Sequence, residues 1–459
     1  MAQISDIIFR AYDIRGIVDK DLTEEGTYLI GRAIGSEVIA EGQHQLYVAR
    51  DGRLSGDRLI EKLKQGLFDS GCNIVDIGMT TTPVMYFACK QDPAINSGVI
   101  LTASHNPAEY NGIKIVINGK TIFGDQITAL ADRIKQKNFS SGVGKLETCP
   151  DMISRYINDI CGRLQLKKPL KIVIDCANGV AGLIAPKLFN QFGCDVTGLY
   201  TEVDGRFPNH GPDPSQAKNL QDMIKTVKEQ GADIGLAFDG DADRVYTVTH
   251  TGDIIFPDRM LMLIAADVLK NNPGASVLYD VKSSKRVAEV VEKYQGNPIM
   301  SRTGHAFIKQ NMLDTGALLA GEMSGHVFIA DNWYGFDDGI YTAARLLSII
   351  SQHEKNYSDL LAAFPDSVST EELSIPVKEE EKSQIMKKVM GLDFGDASLI
   401  TLDGLRVEFK NGWGLIRQSN TSPNLIMRFE ADDEKSLSHI QALFREKLTS
   451  IQPGWQLPF

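Results

Sequence analysis

Lys171-Ile172-Val173-Ile174-Asp175 is an apolar run that ends on a carboxylate, and further on the chain reads Gly193-Cys194-Asp195-Val196-Thr197. Between the two, Ile184, Leu188 and Phe192 recur at helical spacing. An apolar strand, a polar turn, an amphipathic helix, a glycine and a second apolar strand make a βαβ unit. The same order occurs twice more. Leu46-Tyr47-Val48-Ala49-Arg50-Asp51 returns at Gly71-Cys72-Asn73-Ile74-Val75-Asp76-Ile77, with Leu59, Leu63 and Leu67 on the helix between them. Ser276-Val277-Leu278-Tyr279-Asp280 returns near Gly296-Asn297-Pro298-Ile299-Met300. Three copies predict three related mixed α/β domains.

The tail breaks the pattern. From Thr370 the reading is a strand (373–377), a helix (378–390), further strands near 399–402, 406–409, 413–417 and 424–430, and a last helix (432–448). This is an α+β domain without the repeat. The expected domains are therefore 1–150, 151–255, 256–367 and 368–459. The charge run Lys378 to Lys382 reads as a solvated helix start.

Bulk properties agree with several domains. A chain of 459 residues is too long for one core. Its hydrophobic share of 43% and charged share of 23% are those of a soluble globular protein. A net charge of −11 argues against a nucleic-acid or membrane-surface binder, which needs a basic face. An anionic small molecule stays possible, because a local cluster of Arg and Lys suffices for it. The six cysteines form no CxxC pair and no zinc spacing, so a reducing compartment is expected. The start of the chain lacks the basic and apolar regions of a signal peptide. The most apolar stretch, 260–269, is short and contains Asp267, so no transmembrane helix is expected and the cytoplasm is the default location.

Chemistry is carried by short polar segments that follow apolar runs. Thr102-Ala103-Ser104-His105-Asn106-Pro107 follows Gly98-Val99-Ile100-Leu101. A serine on a tight loop after a buried strand has its hydroxyl open to a cleft, as a nucleophile or a covalent carrier. Alone, the hexapeptide fits equally a serine bonded to its own loop. Asp239-Gly240-Asp241-Ala242-Asp243-Arg244 follows another apolar run. Carboxylates at alternate positions of an extended chain share one side, and three of them need a cation. Oxygen ligands suit Mg²⁺ or Mn²⁺. A polar turn between strands is the plainer reading, and the EF-hand pattern does not fit. Arg244 beside such a site is placed for an anion that the metal also touches.

Arg417-Gln418-Ser419-Asn420-Thr421-Ser422-Pro423 offers a forked donor, hydroxyls and loop amides, enough for a phosphate cradle or for an ordinary turn. In Gly321-Glu322-Met323-Ser324-Gly325-His326, Glu, Ser and His at alternate positions face one way, as recognition of sugar hydroxyls would need. Arg302-Thr303-Gly304-His305 supplies an imidazole that titrates near neutrality, or a turn histidine. Phe9-Arg10-Ala11-Tyr12-Asp13-Ile14-Arg15-Gly16 packs two arginines round a tyrosine, and Asn111-Gly112-Ile113-Lys114 adds a cation after the serine loop. Cations near a reactive serine point to phosphoryl rather than acyl transfer. The nucleophile elbow, the Walker loop and the dinucleotide fingerprint are all missing from the sequence.

Taken in order along the whole chain, FRAYDIRG, TASHNP, NGIK, DGDADR, RTGH, GEMSGH and RQSNTSP resemble the α-D-phosphohexomutase superfamily, most closely its bacterial phosphomannomutase/phosphoglucomutase branch. Ala242, where many members have Gly, and Ser422, where some have Thr, are conservative departures. The resemblance implies four domains around a central cleft. It implies that Ser104 carries the phosphoryl group and that Asp239, Asp241 and Asp243 hold Mg²⁺ together with an oxygen at Ser104. It places Glu322, Ser324 and His326 on sugar hydroxyls, and Arg417, Ser419, Asn420 and Thr421 on the non-reacting phosphate. Arg15, Lys114, Arg244, Lys282 and His305 would surround the transferring group, with Tyr12 and Thr303 lining the substrate site. The implied partners are sugar phosphates, and the implied activator is a hexose 1,6-bisphosphate.

The implied reaction is reversible phosphoryl transfer between the 1- and 6-positions of mannose or glucose. His305 or Lys114 would accept the hydroxyl proton. The alternatives are a phosphoglucosamine mutase and, from another reaction class, a metal-dependent sugar phosphatase working through phosphoserine.

Overall fold

The computed structural model describes residues 4–419 and 422–459. Its first three sheets share one four-strand arrangement. In each, the first strand of the repeat is flanked by the returning strand and by a third strand, all parallel, and a fourth strand runs antiparallel to the third. In chain order these are Gln45–Arg50, Asn73–Met79, Gly98–Leu101 and Tyr110–Ile117 in the first sheet. They are Lys171–Asp175, Asp195–Leu199, Ile234–Phe238 and Val245–Thr249 in the second. In the third they are Ser276–Asp280, Asn297–Ser301, Leu319–Gly321 and Val327–Ile329. The third strands are buried at every residue, as parallel strands covered on both faces must be. The three mixed α/β units read from the sequence are thus present.

The turn from third to fourth strand is the same place in each unit. It holds TASHNP in the first, DGDADR in the second and GEMSGH in the third. Each lies beyond the carboxyl end of a buried strand, where open α/β sheets leave room for ligands. The repeat therefore does more than supply three cores. It presents three equivalent hairpin turns, each holding one of the polar segments singled out in the sequence.

Packing holds the units together. Helices Glu24–Ala40 and Gly56–Asp69 touch through glycines: a Cβ at Gly66 would lie 2.2 Å from the Tyr28 carbonyl. One apolar core spans all three units, joining Phe87, Phe189, Ile264 and Leu347. Its centre includes the helix Gly339–Ser351, buried along its whole length and capped by Asp338, which accepts from Tyr341 N at 2.8 Å. Among the described residues no helix is long and apolar enough to cross a membrane.

The C-terminal sheet is antiparallel, in the order Val368–Ser369, Asn424–Ala431, Gly412–Gln418, Leu405–Phe409 and Ser398–Ile400, with Leu373–Pro376 also on Asn424–Ala431. Helices Glu379–Val389 and Glu434–Ile451 cover it and close a separate core around Ile416, Phe429 and Phe444. This is the α+β unit expected of the tail. It docks on the third sheet through Arg406, whose Nη1 donates to the carbonyls of Val281 (2.7 Å) and Ser283 (2.8 Å). The guanidinium stacks 3.8 Å from the Trp413 ring centre.

Lys382 differs from the sequence reading. It is buried rather than solvated, and its Nζ donates to the carbonyls of Ser419 (2.9 Å) and Ser422 (3.1 Å). A cation amid the charge run is drawn inward because those loop carbonyls need a donor.

Candidate active site

A cleft of about 830 Å³ is lined by Tyr12, Arg15, Ser104, Lys114, Arg244, Lys282, Thr303, His305, Glu322, Ser324, His326, Arg417 and Ser419. Thirteen expected site residues from all four sheets therefore meet in one cavity. Asp239, Asp241 and Asp243 lie directly behind its wall, fully buried. Asn420 and Thr421 lie outside the described residues.

Ser104 sits at the floor of the cleft, 1% exposed, not on an open loop as its sequence suggests. Its φ of 51° is the left-handed region, which a non-glycine residue occupies at a cost. The hydroxyl donates to Asp239 Oδ2 at 2.9 Å and lies 3.1 Å from His105 Nδ1. The three aspartates come together differently from the extended arrangement read in the sequence. Residues 239–243 form a turn with Ala242 at φ 62°, and the turn, not strand alternation, gathers the carboxylates. The cause is the hairpin, which must reverse within these residues to pair Phe238 with Val245. One oxygen of each carboxylate lies within 4.8 Å of the others.

The charges are balanced across the first two sheets. Lys114 Nζ donates to Asp241 Oδ2 at 2.7 Å and also to Asp243. Thr82 Oγ1 donates to Asp241 Oδ2 at 2.5 Å. Burial and the neighbouring Asp243 and Asp241 still push the Asp239 carboxyl well above the usual carboxylate range. Burial opposes ionisation of Asp243 too, but Lys114 and His326 outweigh it and hold that carboxyl well below the range. Asp241 Oδ1 and Asp243 Oδ1 are buried with no hydrogen-bond partner among the described residues. Three carboxylates with two orphaned oxygens and one carboxyl resisting ionisation are what a hard divalent cation would satisfy. The donor set fits Mg²⁺ or Mn²⁺.

GEMSGH likewise converges through a turn rather than by alternation, because Gly325 at φ 94° reverses the chain between two short strands. His326 Nδ1 lies 2.9 Å from both Glu322 Oε2 and Ser324 Oγ, and its Nε2 faces Asp243 Oδ1 at 3.3 Å. Burial and Arg244 lower the affinity of this ring for a proton, but Asp243 and Glu322 prevail and raise its pKa to about 9. Arg244 Nε is 3.1 Å from His326 Nε2 and donates to it only when the ring is neutral.

His305 has the opposite electrostatics. It opens the helix His305–Thr315, and its Nδ1 faces Asp337 Oδ2 at 3.3 Å. Burial first, then Lys309, push its pKa below the ordinary value, so the ring is neutral near pH 7. Burial opposes protonation of Lys114, but Asp241 and Asp243 raise its pKa, so it stays a cation here. Tyr12 packs edge-on to His305 at 5.0 Å, and burial with Asp13 pushes its phenol up to about 12. Arg15 is bound to the serine loop through Asn106 Oδ1 at 2.5 Å.

At the far wall the cations are tied to single carboxylates. Arg417 Nε donates to Asp403 Oδ2 at 3.1 Å, while its buried Nη2 finds no partner among the described residues. Lys282 Nζ donates to Glu372 Oε2 at 2.8 Å. Asp403 also accepts from Thr303 N at 3.0 Å, joining the third and C-terminal sheets. Ser419 N donates to the Asn424 carbonyl at 2.9 Å, which closes the loop at its base.

Sequence reasoning passed over Arg53, Thr82, Asp337, Lys382 and Asp403. One signal was available. The first strand of each repeat ends in, or is followed at once by, a buried aspartate (Asp51, Asp175, Asp280).

The comparisons with known proteins agree along the whole chain. Four consecutive family profiles match: phosphoglucomutase/phosphomannomutase alpha/beta/alpha domain I over residues 6–141, domain II over 154–252, domain III over 256–368, and the C-terminal domain over 372–447. A phosphomannomutase/phosphoglucomutase of Pseudomonas putida is 52% identical over 459 residues, covering 100% of this chain and 99% of that one. A phosphoglucomutase of Neisseria meningitidis serogroup A is 48% identical, covering 98% of each chain. The crystal structure of a phosphoglucomutase/phosphomannomutase family protein from Burkholderia thailandensis superposes with a TM-score of 0.95 at 46% identity, over 100% of both chains.

Proposed function

The chain belongs to the phosphoglucomutase/phosphomannomutase family, and we propose that it moves a phosphoryl group reversibly between the 1- and 6-positions of mannose and glucose. The observation that carries this reading is the Ser104 hydroxyl, 2.9 Å from Asp239 in a buried three-carboxylate turn and open on its other side to a cleft lined with cations.

Ser104 in its phosphorylated form is the donor. A hexose monophosphate enters with its phosphate on Arg417 and Ser419 and its hydroxyls on Glu322, Ser324 and His326. The free sugar hydroxyl attacks the phosphorus. The new P–O bond forms as the bond to Ser104 Oγ breaks; the hydroxyl proton passes to neutral His305, and Ser104 Oγ takes up a proton from solvent to become the free hydroxyl. Lys114 is the poorer base, being held protonated. Arg15 and Arg244 face the charge on the transferring oxygens. Asp239, Asp241 and Asp243 would hold Mg²⁺, which supplies charge neutralisation at the phosphoryl oxygens.

The product is a hexose 1,6-bisphosphate. After it turns over in the cleft, the Ser104 hydroxyl attacks the other phosphorus and releases its proton to solvent as the bond to the sugar oxygen breaks, and His305 returns its proton to that oxygen. Both ends of the intermediate must therefore fit one cradle. Free bisphosphate recharges Ser104 and so acts as activator. The ligands are small sugar phosphates. We place the domain limits near 150, 255 and 368, with the cradle on the last domain.

The names borne by relatives at 48–52% identity weigh against the glucosamine and hydrolase alternatives. The test is ³¹P NMR of mannose 1-phosphate with the protein, Mg²⁺ and a trace of hexose 1,6-bisphosphate. Replacement of the anomeric phosphate signal by a 6-phosphate signal is expected, and release of inorganic phosphate would overturn the reading.

A further inference from the structure

Arg53 does not line the cleft and touches no expected site side chain, yet it is the most completely bonded cation behind it. Its side chain has 0% exposure. Nη2 donates to the carbonyls of Ser104 (2.9 Å) and Asn106 (2.6 Å). Nη1 donates to those of Pro107 (2.6 Å) and Tyr110 (3.0 Å). Nε donates to Asp51 Oδ2 at 3.1 Å. A guanidinium has five N–H donors, and all are used, four of them on one loop.

Asp51 completes the unit. Its Oδ1 accepts from Arg53 N at 3.0 Å, and its Oδ2 also accepts from Thr102 Oγ1 at 2.7 Å. Thr102 Oγ1 in turn accepts from Ser104 N at 3.0 Å. Ser104 is thus held on both sides of its Cα, at the carbonyl through Arg53 and at the amide through Thr102. These bonds over-determine a residue at φ 51° that would otherwise relax.

The grip extends to the carboxylate turn. A Cβ at Gly240 would lie 2.4 Å from the Ser104 carbonyl, so the two turns meet at the atom that Arg53 holds. From the second unit, the Phe207 ring covers the guanidinium at 5.4 Å. The third unit repeats the device in simpler form. Asp280, at the place of Asp51, accepts from Met323 N at 3.2 Å, inside the GEMSGH turn.

We infer that Arg53, backed by Asp51, is a positioning residue that fixes the Ser104 hydroxyl against Asp239 and so sets the rate of both phosphoryl transfers without contributing to sugar binding. The inference rests on Ser104 being the phosphoryl carrier. A lysine at this place has three donors on a flexible stem and cannot span four carbonyls. A displacement of the nucleophile on the scale of 1 Å costs about a hundredfold in rate.

The test is steady-state kinetics on Arg53→Lys, Thr102→Val, Thr102→Ser and Ser104→Ala, with folding checked by circular dichroism. The rate of Ser104 phosphorylation by glucose 1,6-bisphosphate is followed by intact mass. Arg53→Lys should lose about a hundredfold in kcat and in phosphorylation rate, with KM within about threefold. Thr102→Val should lose about tenfold in kcat with the same split, and Thr102→Ser, which keeps the relay, should restore it. If Arg53→Lys does not fold, the Thr102 pair decides. A folded Arg53→Lys with kcat within about twofold of the parent, or a rise in KM in place of the fall in kcat, overturns the inference. Likewise Thr102→Val indistinguishable from Thr102→Ser overturns it. Full turnover by Ser104→Ala would instead defeat the carrier reading itself, whereas an active Arg53→Lys beside an inactive Ser104→Ala defeats only the clamp.

Discussion

The two ends of the cleft solve the handling of charge in opposite ways. At the serine end, three carboxylates and Lys114 are locked together out of water, with exposures of 0–3%, and two carboxylate oxygens accept no hydrogen bond among the described residues. At the far end the charges pair one to one, and the unsatisfied atom is a donor. Arg417 and Lys282 each hold one carboxylate, and one guanidinium nitrogen has no partner among the described residues. One end leaves acceptors unsatisfied, and the other leaves a donor. The serine end is also stitched across the first and second sheets, which share a single apolar core, whereas the far end bridges to a sheet with a core of its own. The serine end should therefore govern the chemical step and the stability of the junction, and the far end should govern substrate affinity.

The largest expected effect lies at the serine end. Stripping divalent cations with a chelator should lower turnover by at least about a hundredfold, because the site then holds no metal cation to offset the charge on the phosphoryl oxygens. Restored activity on adding Mg²⁺ is the check, and unchanged turnover in metal-free buffer would break the comparison.

Lys114→Met should come next. It leaves the buried Asp241 without its cation and Asp243 with the more distant His326, at a cost of about 3–5 kcal/mol by analogy with broken buried pairs. Thermal unfolding should show the loss, and Mg²⁺ should recover part of it. A melting temperature that ignores Mg²⁺ would mean that the cation does not sit among these carboxylates.

Arg417→Ala should change the other parameter. Its KM for glucose 1-phosphate should rise about tenfold or more, with kcat much less affected, while excess bisphosphate still phosphorylates Ser104. An unchanged KM would remove Arg417 from the phosphate cradle.

The smallest effect is a pH dependence. His326 has a folded pKa of about 9, above its ordinary 6.5. The folded protein thus binds this proton more tightly, and the resulting stability is complete below pH 6.5 and is lost as pH rises through 9. The cation-free protein should lose melting temperature across that window, and His326→Gln should flatten the loss. A steeper profile in the variant would contradict the assignment of charge to this ring.

Most of the architecture was legible because it is local and repeated. Strand, helix and returning strand leave periodic traces, and the polar hexapeptides at the strand ends stand out against their apolar neighbours. The polar segments that meet in the cleft were legible for the same reason, from Ser104 to Arg417. What escaped has no local trace. The turn at Asp239–Asp243 relies on Ala242 in a left-handed conformation, which alanine does not advertise. Arg53 acts on carbonyls more than fifty positions away, and Thr82 reaches Asp241 across 159. Lys382 was misread because a charge run resembles a solvated face whichever way one member points. Backbone carbonyls recruit such cations, and sequence carries no mark for a carbonyl in need of a donor.

The most direct test of the account mixes the protein with glucose 1,6-bisphosphate and Mg²⁺, maps the phosphoryl group by peptide mass spectrometry, and then adds glucose 6-phosphate. The account predicts one phosphoryl group on the peptide containing Ser104, removed again by the sugar phosphate as bisphosphate appears. A phosphoryl group on another residue, or one on Ser104 that the sugar phosphate cannot remove, would contradict it.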